Sequence, residues 1–390
     1  MKLKLYDLMM NGRSYLLVIF TWVMSIYSLS ANENIELKDS PFSLQGVYTG
    51  DAVANLSGGI KTGTAYLGMA NLRVGFDAEK AKLWKGGSFY ANLANTHGDT
   101  PSETLIGDFQ VASNIEAGDH TYIQELWYAQ QIGHVKVTLG LQDLNVEMAN
   151  SEHGALYRNS SFGIHSTISD NVPAPVFPLT SPGVTISWDF LPKWNWHTAV
   201  YDGTPLDFDR NPHNLVWNFT SQDGVLVVNE LEREDIIKSL PHGMYKVGSY
   251  FHDHKLTAEE EAEGLSGINY GFYGVADQMI WAKKDHQGVS IFAQGSFSPK
   301  LQNDHSYYCG GGINCYGIGK REKDIAGIAL AHAGFRDKKK EETIIELTYK
   351  AALGENFYLQ PNFQYIIHPA GTDEVQKNAT VAALRFGLNF

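Results

Sequence analysis

The chain has 390 residues, 43% of them hydrophobic, 12% aromatic and 19% charged, with 38 glycines and two cysteines. Its 30 basic and 43 acidic residues give a formal charge of −13, which argues against a nucleic-acid binder, because neutralising phosphates needs a basic face. The ordinary hydrophobic fraction argues against disorder, and two cysteines are too few for a disulfide scaffold or a cysteine-rich zinc module.

Residues 1–14 carry Lys2, Lys4 and Arg13 against Asp7. The mostly apolar stretch Tyr15–Tyr27 follows, and Ser28-Leu29-Ser30-Ala31 closes it with mainly small side chains. A basic start, a short apolar run and a small-residue exit predict a secretory signal peptide over 1–31. The run is shorter than the roughly 20 residues a spanning helix needs. No later stretch approaches that length, so 32–390 is read as one domain, either exported in soluble form or crossing a membrane as a closed β-barrel.

From residue 42 onward the dominant pattern is alternation with period two, which marks strands with one apolar face. It predicts sixteen strands: 42–51, 63–77, 87–96, 120–131, 134–144, 183–191, 194–202, 224–234, 243–252, 269–282, 288–298, 306–318, 324–335, 342–352, 356–367 and 379–390. In 343–351, Thr343, Ile345, Leu347, Tyr349 and Ala351 share a face, with Ile344 breaking the polar face opposite. Most segments have the length of a tilted strand that crosses a bilayer. Short connections, at Gly133, Pro192-Lys193, Asp285-His286-Gln287 and Gly354-Glu355, alternate with long ones at 97–119, 145–182, 203–223 and 253–268. Tight turns at one end and long loops at the other are the habit of a transmembrane barrel. Trp194, Trp196, Tyr270, Tyr273 and Trp281 near strand ends suit aromatic girdles. A soluble sandwich gives the same local alternation, so a secreted lectin-like β-protein stays open. Pro361 within a strong strand predicts a bulge there.

Several segments resemble, as a set, the carbohydrate-selective porins of Gram-negative outer membranes, the OprB-type family. They are Leu83-Trp-Lys-Gly-Gly-Ser-Phe89, Ser113-Asn-Ile-Glu-Ala117, Glu125-Leu-Trp-Tyr-Ala-Gln130, Gly140-Leu-Gln-Asp-Leu-Asn145, Leu156-Tyr-Arg-Asn-Ser-Ser-Phe-Gly163, Tyr245-Lys-Val-Gly-Ser-Tyr250 and the stretch from Leu359 to Gly371. The chain also ends in Phe390, similar to the terminal aromatic used in outer-membrane barrel assembly. The resemblance implies an all-β fold: a sixteen-stranded transmembrane antiparallel barrel in the outer membrane, with an inward-folded constriction loop. It implies facilitated diffusion of small solutes, sugars as partners, and no catalytic step or cofactor.

Sugars offer flat apolar faces and adjacent hydroxyls, which suit aromatic side chains and forked donors or acceptors. The long 145–182 connection is the expected constriction and contains Asn145, Glu147, Asn150, Glu152, His153, Arg158 and Asn159. Arg158 and Asn159 are favoured because they stand in a family-like segment. On the wall, alternation places Asn71, Arg73 and Asp77 inside, opposite Tyr66, Leu72, Val74 and Phe76. It places Lys136, Thr138 and Gln142 inside, opposite Val135, Val137, Leu139 and Leu141. Glu346, Lys350 and Arg385 are inward by the same test. A charge costs little in a wet lumen but about 2–4 kcal/mol on the lipid face at mid-depth. Glu125 and Trp127 share a parity opposite Tyr122, Leu126 and Tyr128, and make a sugar contact if that parity is inward.

His252 and His254 lack a third ligand at zinc spacing, and no Gly-x-Ser-x-Gly or phosphate loop occurs. Cys309 and Cys315 flank Gly-Gly-Gly-Ile-Asn; in a straight strand they stand about 20 Å apart, whereas a glycine loop would allow a disulfide. A general cation-preferring porin without a sugar site is the main alternative, given the net charge. Outer-membrane lipid and a homo-oligomer are further expected partners, with monomer and trimer both open.

Overall fold

Sixteen strands run in strict antiparallel succession, and β1 closes on β16 to make a barrel. They are β1 (Phe42–Gly59), β2 (Gly63–Asp77), β3 (Gly87–Gly98), β4 (His120–Ile132), β5 (Val135–Gln142), β6 (Ser181–Leu191), β7 (Trp194–Asp202) and β8 (Val225–Glu234). The circuit continues through β9 (Gly243–Asp253), β10 (Ile268–Lys283), β11 (Gln287–Phe297), β12 (His305–Ile318), β13 (Arg321–Phe335), β14 (Glu341–Ala352), β15 (Phe357–Ile367) and β16 (Lys377–Asn389). The structure, a computed structural model, describes residues 40–217, 224–256, 258–283, 286–299, 303–336 and 341–390. The predicted signal segment 1–31, Asp285 and part of the 203–223 connection lie outside the described residues.

Closure is what lets a sheet live in lipid, since every ladder group finds a partner and no edge is left. The outward positions are large and apolar: Leu93, Leu139, Trp188, Trp196, Phe272, Ile291, Leu347 and Leu384 are all exposed on the outer wall. The inward positions are polar or small except where large apolar side chains meet the loops. The longest connections, 99–119, 143–180, 203–224 and 254–267, share one end of the barrel, which identifies that end as extracellular and the other as periplasmic. The 60–62 hairpin is a short exception at the outer end.

Local details depart from expectation in instructive ways. β1 continues eight residues beyond 51, since inward Asp51 and Asn55, which interrupt an apolar reading, find hydrogen-bond partners inside, Asp51 with Arg158 and Asn55 Nδ2 with Leu105 O. Pro361 makes no bulge: Thr348 pairs Asn362 and Ala351 pairs Leu359 in one register, and the rungs between them are simply absent. Proline withholds one ladder donor without forcing an extra residue into the strand. A bulge occurs instead in β4, where Asn92 pairs Glu125 and Leu93 pairs Ile123, skipping Gln124. It reverses parity above that point, so Tyr122 is buried inside rather than outward. Tyr273 is no girdle residue either, since it lies inside over Gly248, where a Cβ would meet its ring at 2.2 Å. Leu141, expected to face lipid, is fully buried.

β12 is unbroken through its glycines, so Cys309 and Cys315 sit six residues apart on one outward face as free, exposed thiols. At about 3.3 Å per residue they are about 20 Å apart, which rules out the disulfide. Gly310 and Gly312 face inward, where Tyr308, Phe292 and Ala329 occupy the space a Cβ would need. At the periplasmic seam Phe390 and Gly46 exchange backbone hydrogen bonds (2.7 and 2.9 Å), and the ring covers the bare Gly46 Cα.

Candidate pore constriction

Among the described residues, more than one loop folds into the lumen. The 143–180 connection does so as expected, and 99–119 joins it. Each carries an apolar face onto a matching patch of wall. Leu105, Ile106, Ala112 and Ile115 of the first loop, with Tyr157 and Phe162 of the second, pack on Val53, Leu67, Phe292, Tyr308, Ile344, Ile366 and Val381. Leu144, Met148, Ile168 and Val172 pack on Tyr201, Leu226, Val228, Tyr250 and Tyr273. Ile344, the exception to its strand's polar face, is thus part of a loop-docking platform.

Folding irregular chain inward strands its backbone donors, and wall carboxylates collect them. Glu346 accepts from the amides of Arg158 (2.7 Å) and Asn159 (3.0 Å) and from Asn362 Nδ2 (2.5 Å). Asp277 accepts from Ser151 Oγ (2.6 Å) and the amides of Glu152 (3.1 Å) and His153 (3.2 Å). Glu230 takes the Ala149 amide at 2.8 Å. Glu342 takes those of Phe109 (2.7 Å), Gln110 (2.9 Å) and Ala370 (2.8 Å). Each carboxyl group collects donors that would otherwise be stranded in the lumen, so each acts as a clamp. Much of the lumen's acidic side-chain capacity is therefore spent on holding loops.

Arg158 is fully buried, with Nη2 and Nε at 2.7 and 3.1 Å from Asp51 Oδ2 and Nη1 at 3.2 Å from Asn362 Oδ1. Arg385 grips the same Asp51 through Nε (2.8 Å) and Nη2 (2.8 Å), and Nη2 also reaches Asn114 Oδ1 at 2.8 Å. Ser113 Oγ donates to Asp51 at 2.6 Å. Asp51 thus ties both loops to β16, and the sequence reading missed it. Asn159 caps the single turn Ser160–Phe162 through Ser161 N (3.1 Å) and donates to Val111 O (3.1 Å), so it too is used internally.

On another stretch of wall, Tyr90, Trp127 and Arg73 are half-buried around a buried Glu125. Trp127 stacks on Tyr90 with centroids 5.0 Å apart and planes at 26°, and its indole N–H donates to Glu125 Oε1 at 3.3 Å. Glu125 also accepts from Asn92 Nδ2 at 3.3 Å. Arg73, on the neighbouring strand, makes a long contact to Gln45 Oε1 (3.4 Å), and among the described residues its buried Nε lacks an acceptor. Lys350 lies 4.3 Å from the Tyr358 ring centroid. Asp77, by contrast, caps the following turn through the Glu79 and Lys80 amides.

On the adjoining wall, from β5 onward, Lys136 pairs with Glu147 of the loop, Ser187 Oγ lies 3.5 Å from Glu147 and 2.8 Å from His197 Nδ1, and His197 Nε2 is 3.2 Å from Glu232. Lys246 closes the chain on Glu232 (2.9 Å) and Asn150 Oδ1 (2.7 Å). Gln142 accepts from Thr185 (2.9 Å) and donates to Gly183 O (2.9 Å). A cavity of about 440 Å³ lined by Asn145, Asn150, Glu152, Lys246 and Asp277 meets a second of about 480 Å³ at Met244. Within the loops, burial pushes Asp143 up to about 7, helped by the Glu125 charge, and holds His165 down to about 3. Burial first, and repulsion from Asp108 second, push Glu116 up to about 8. Among the described residues no group of three or more His, Cys, Asp or Glu side chains is arranged to hold a metal ion.

A closed barrel narrowed by inward-folded loops is the architecture of a pore, and comparison with known proteins agrees. Porin B of Pseudomonas aeruginosa is 24% identical over 426 residues, covering 95% of this chain and 91% of that protein. A putative porin, QuiX, of Acinetobacter baylyi is 23% identical over 55% of this chain and 56% of its own length. The high-pH structure of Pseudomonas putida OprB superposes with a TM-score of 0.81 at 20% identity, covering 92% of this chain and 97% of that one, which shows the shared fold. Residues 61–390 match the family described as carbohydrate-selective porin, OprB family, and with the closed sixteen-stranded barrel this establishes the chain as a member of that family, a carbohydrate-selective porin of the Gram-negative outer membrane.

Proposed function

We propose that neutral sugars cross this pore by sliding over the Tyr90–Trp127 platform while Glu125 and Arg73 exchange hydrogen bonds with their hydroxyls. The stacked pair beside a lumen-facing carboxylate carries the reading, since it offers an apolar floor and a forked acceptor together. Lys136, Gln142 and Lys350 line the route, whereas Arg158, Asn159, Glu346 and Arg385 fix its width by holding the loops. Binding stays weak because Glu125 already has internal donors, and a transit site must release what it binds. The barrel reaches its membrane by export through the 1–31 signal segment. Liposome swelling with neutral mono- and disaccharides tests the platform: Trp127→Ala and Glu125→Gln are expected to lose discrimination among sugars while keeping the channel. Discrimination unchanged in both variants sinks the assignment.

A weak cation preference accompanies sugar passage. Asp189 and Glu234 line the periplasmic-side cavity of about 480 Å³, and neither has an ion-pair partner among the described residues. Reversal potentials across a salt gradient test this, and Asp189→Asn with Glu234→Gln is expected to move them toward zero.

A further inference from the structure

The periplasmic turn 78–86, between β2 and β3, plays no part in the lumen, yet it is built with care. Lys80, Lys82, Leu83, Trp84 and Lys85 are all exposed. None of the three lysines has an ion pair among the described residues. The nearby acids are engaged by backbone: Asp77 Oδ1 accepts from the amides of Glu79 (2.9 Å) and Lys80 (3.0 Å), and Glu79 Oε2 from that of Gly86 (3.1 Å).

The turn also folds back along the lipid-facing wall. Trp84 Nε1 donates to Tyr128 Oη at 3.1 Å, and its ring meets Phe89 edge-on at 6.2 Å. The slot exists because residue 87 is glycine; a Cβ there would lie 2.0 Å from Trp84 Nε1. Phe89 continues an outer aromatic row through Tyr128 (4.8 Å), Phe76 (6.1 Å) and, from Phe76, Phe42 (4.8 Å). Such a row marks the bilayer–water interface. Lys82 adopts φ +60 at the end of a helix-like turn, where glycine would sit without strain.

We propose that this turn binds the anionic headgroup of a phospholipid in the periplasmic leaflet. Trp84 and Leu83 sit at the acyl–headgroup boundary, and Lys80, Lys82 and Lys85 reach the phosphate. The occupant follows from continuity with the lipid-facing aromatic row and from three lysines at its edge that outnumber the turn's two acids, Asp77 and Glu79, in a chain that is acidic as a whole.

The test is native mass spectrometry of the full-length barrel released from nanodiscs of mixed phosphatidylglycerol and phosphatidylcholine. Wild type is expected to retain phosphatidylglycerol in preference, with each Lys→Gln substitution lowering that preference about fivefold and added salt weakening it. Lys82→Gly is expected to lower it as well, although it relaxes the backbone. Unchanged single-channel conductance shows that the variants are folded, and single variants serve if the triple one does not assemble. Equal retention of both lipids by wild type, or retained preference in Lys80→Gln/Lys82→Gln/Lys85→Gln, overturns the proposal. The first outcome leaves only the apolar girdle holding lipid.

Discussion

Replacing Glu346 by alanine removes the acceptor for two backbone amides and one side-chain amide, all buried. An unsatisfied buried donor costs about 1–3 kcal/mol, so the two backbone groups alone weaken local docking by about 2–6 kcal/mol. Arg158 keeps its grip on Asp51, and Asp277 and Glu230 still hold 149–153, so the loss is confined to the segment around 157–162. The barrel ladder is untouched. Hydrogen exchange reads the change directly, because the Arg158 and Asn159 amides are the bonded groups. Their protection is expected to fall at least thirtyfold, the lower bound that 2 kcal/mol sets, while the Glu152 and His153 amides on Asp277 stay protected. Open-channel noise rises with it. Equal protection at 158–159 in wild type and Glu346→Ala would refute the clamp.

Other outcomes follow from the same geometry. Glu116 is displaced upward to about 8 in the docked 99–119 loop, so docking is favoured by its proton, fully stabilised below its unfolded value near 4 and weakened as pH rises through 8. Open-channel current is therefore expected to be quieter at pH 5 than at pH 8.5, and Glu116→Gln is expected to flatten the difference. Trp127→Ala is expected to raise the half-blocking sugar concentration about two- to tenfold, from the 0.5–1.5 kcal/mol an aromatic contact supplies. Gly327→Ala places a Cβ 2.4 Å from Tyr157 Oη, which bonds Asn314 Oδ1 at 2.7 Å; overpacking of about 1–3 kcal/mol is expected to speed exchange at Tyr157. Thiol titration of the unreduced, unfolded chain should find both Cys309 and Cys315 free.

The barrel was legible because a two-sided wall writes its period into every strand. All sixteen strands were found, and the short and long connections separated the two ends. Parity also told inside from outside at Arg73, Lys136, Glu346 and Arg385, since a charged side chain facing lipid is costly. What alternation cannot show is a shift in register. The skipped Gln124 reversed Tyr122, and nothing in the residue types announced it. Nor does it show which polar residues are already spoken for. Arg158 and Asn159 stood out by their segment, yet folding buries both against acids from distant strands. One signal was present and unread: inward Ile344, Ile366 and Val381 are too apolar for a wet lumen, and they mark where the loops dock.

Sugar binding in the lumen is measured most directly by the conductance of the refolded channel in planar bilayers during titration with neutral mono- and disaccharides. Saturable reduction of the current, weakened by Trp127→Ala and Arg73→Ala, is the predicted result. Current that falls only in proportion to the viscosity of the added sugar, alike in wild type and both variants, would contradict it.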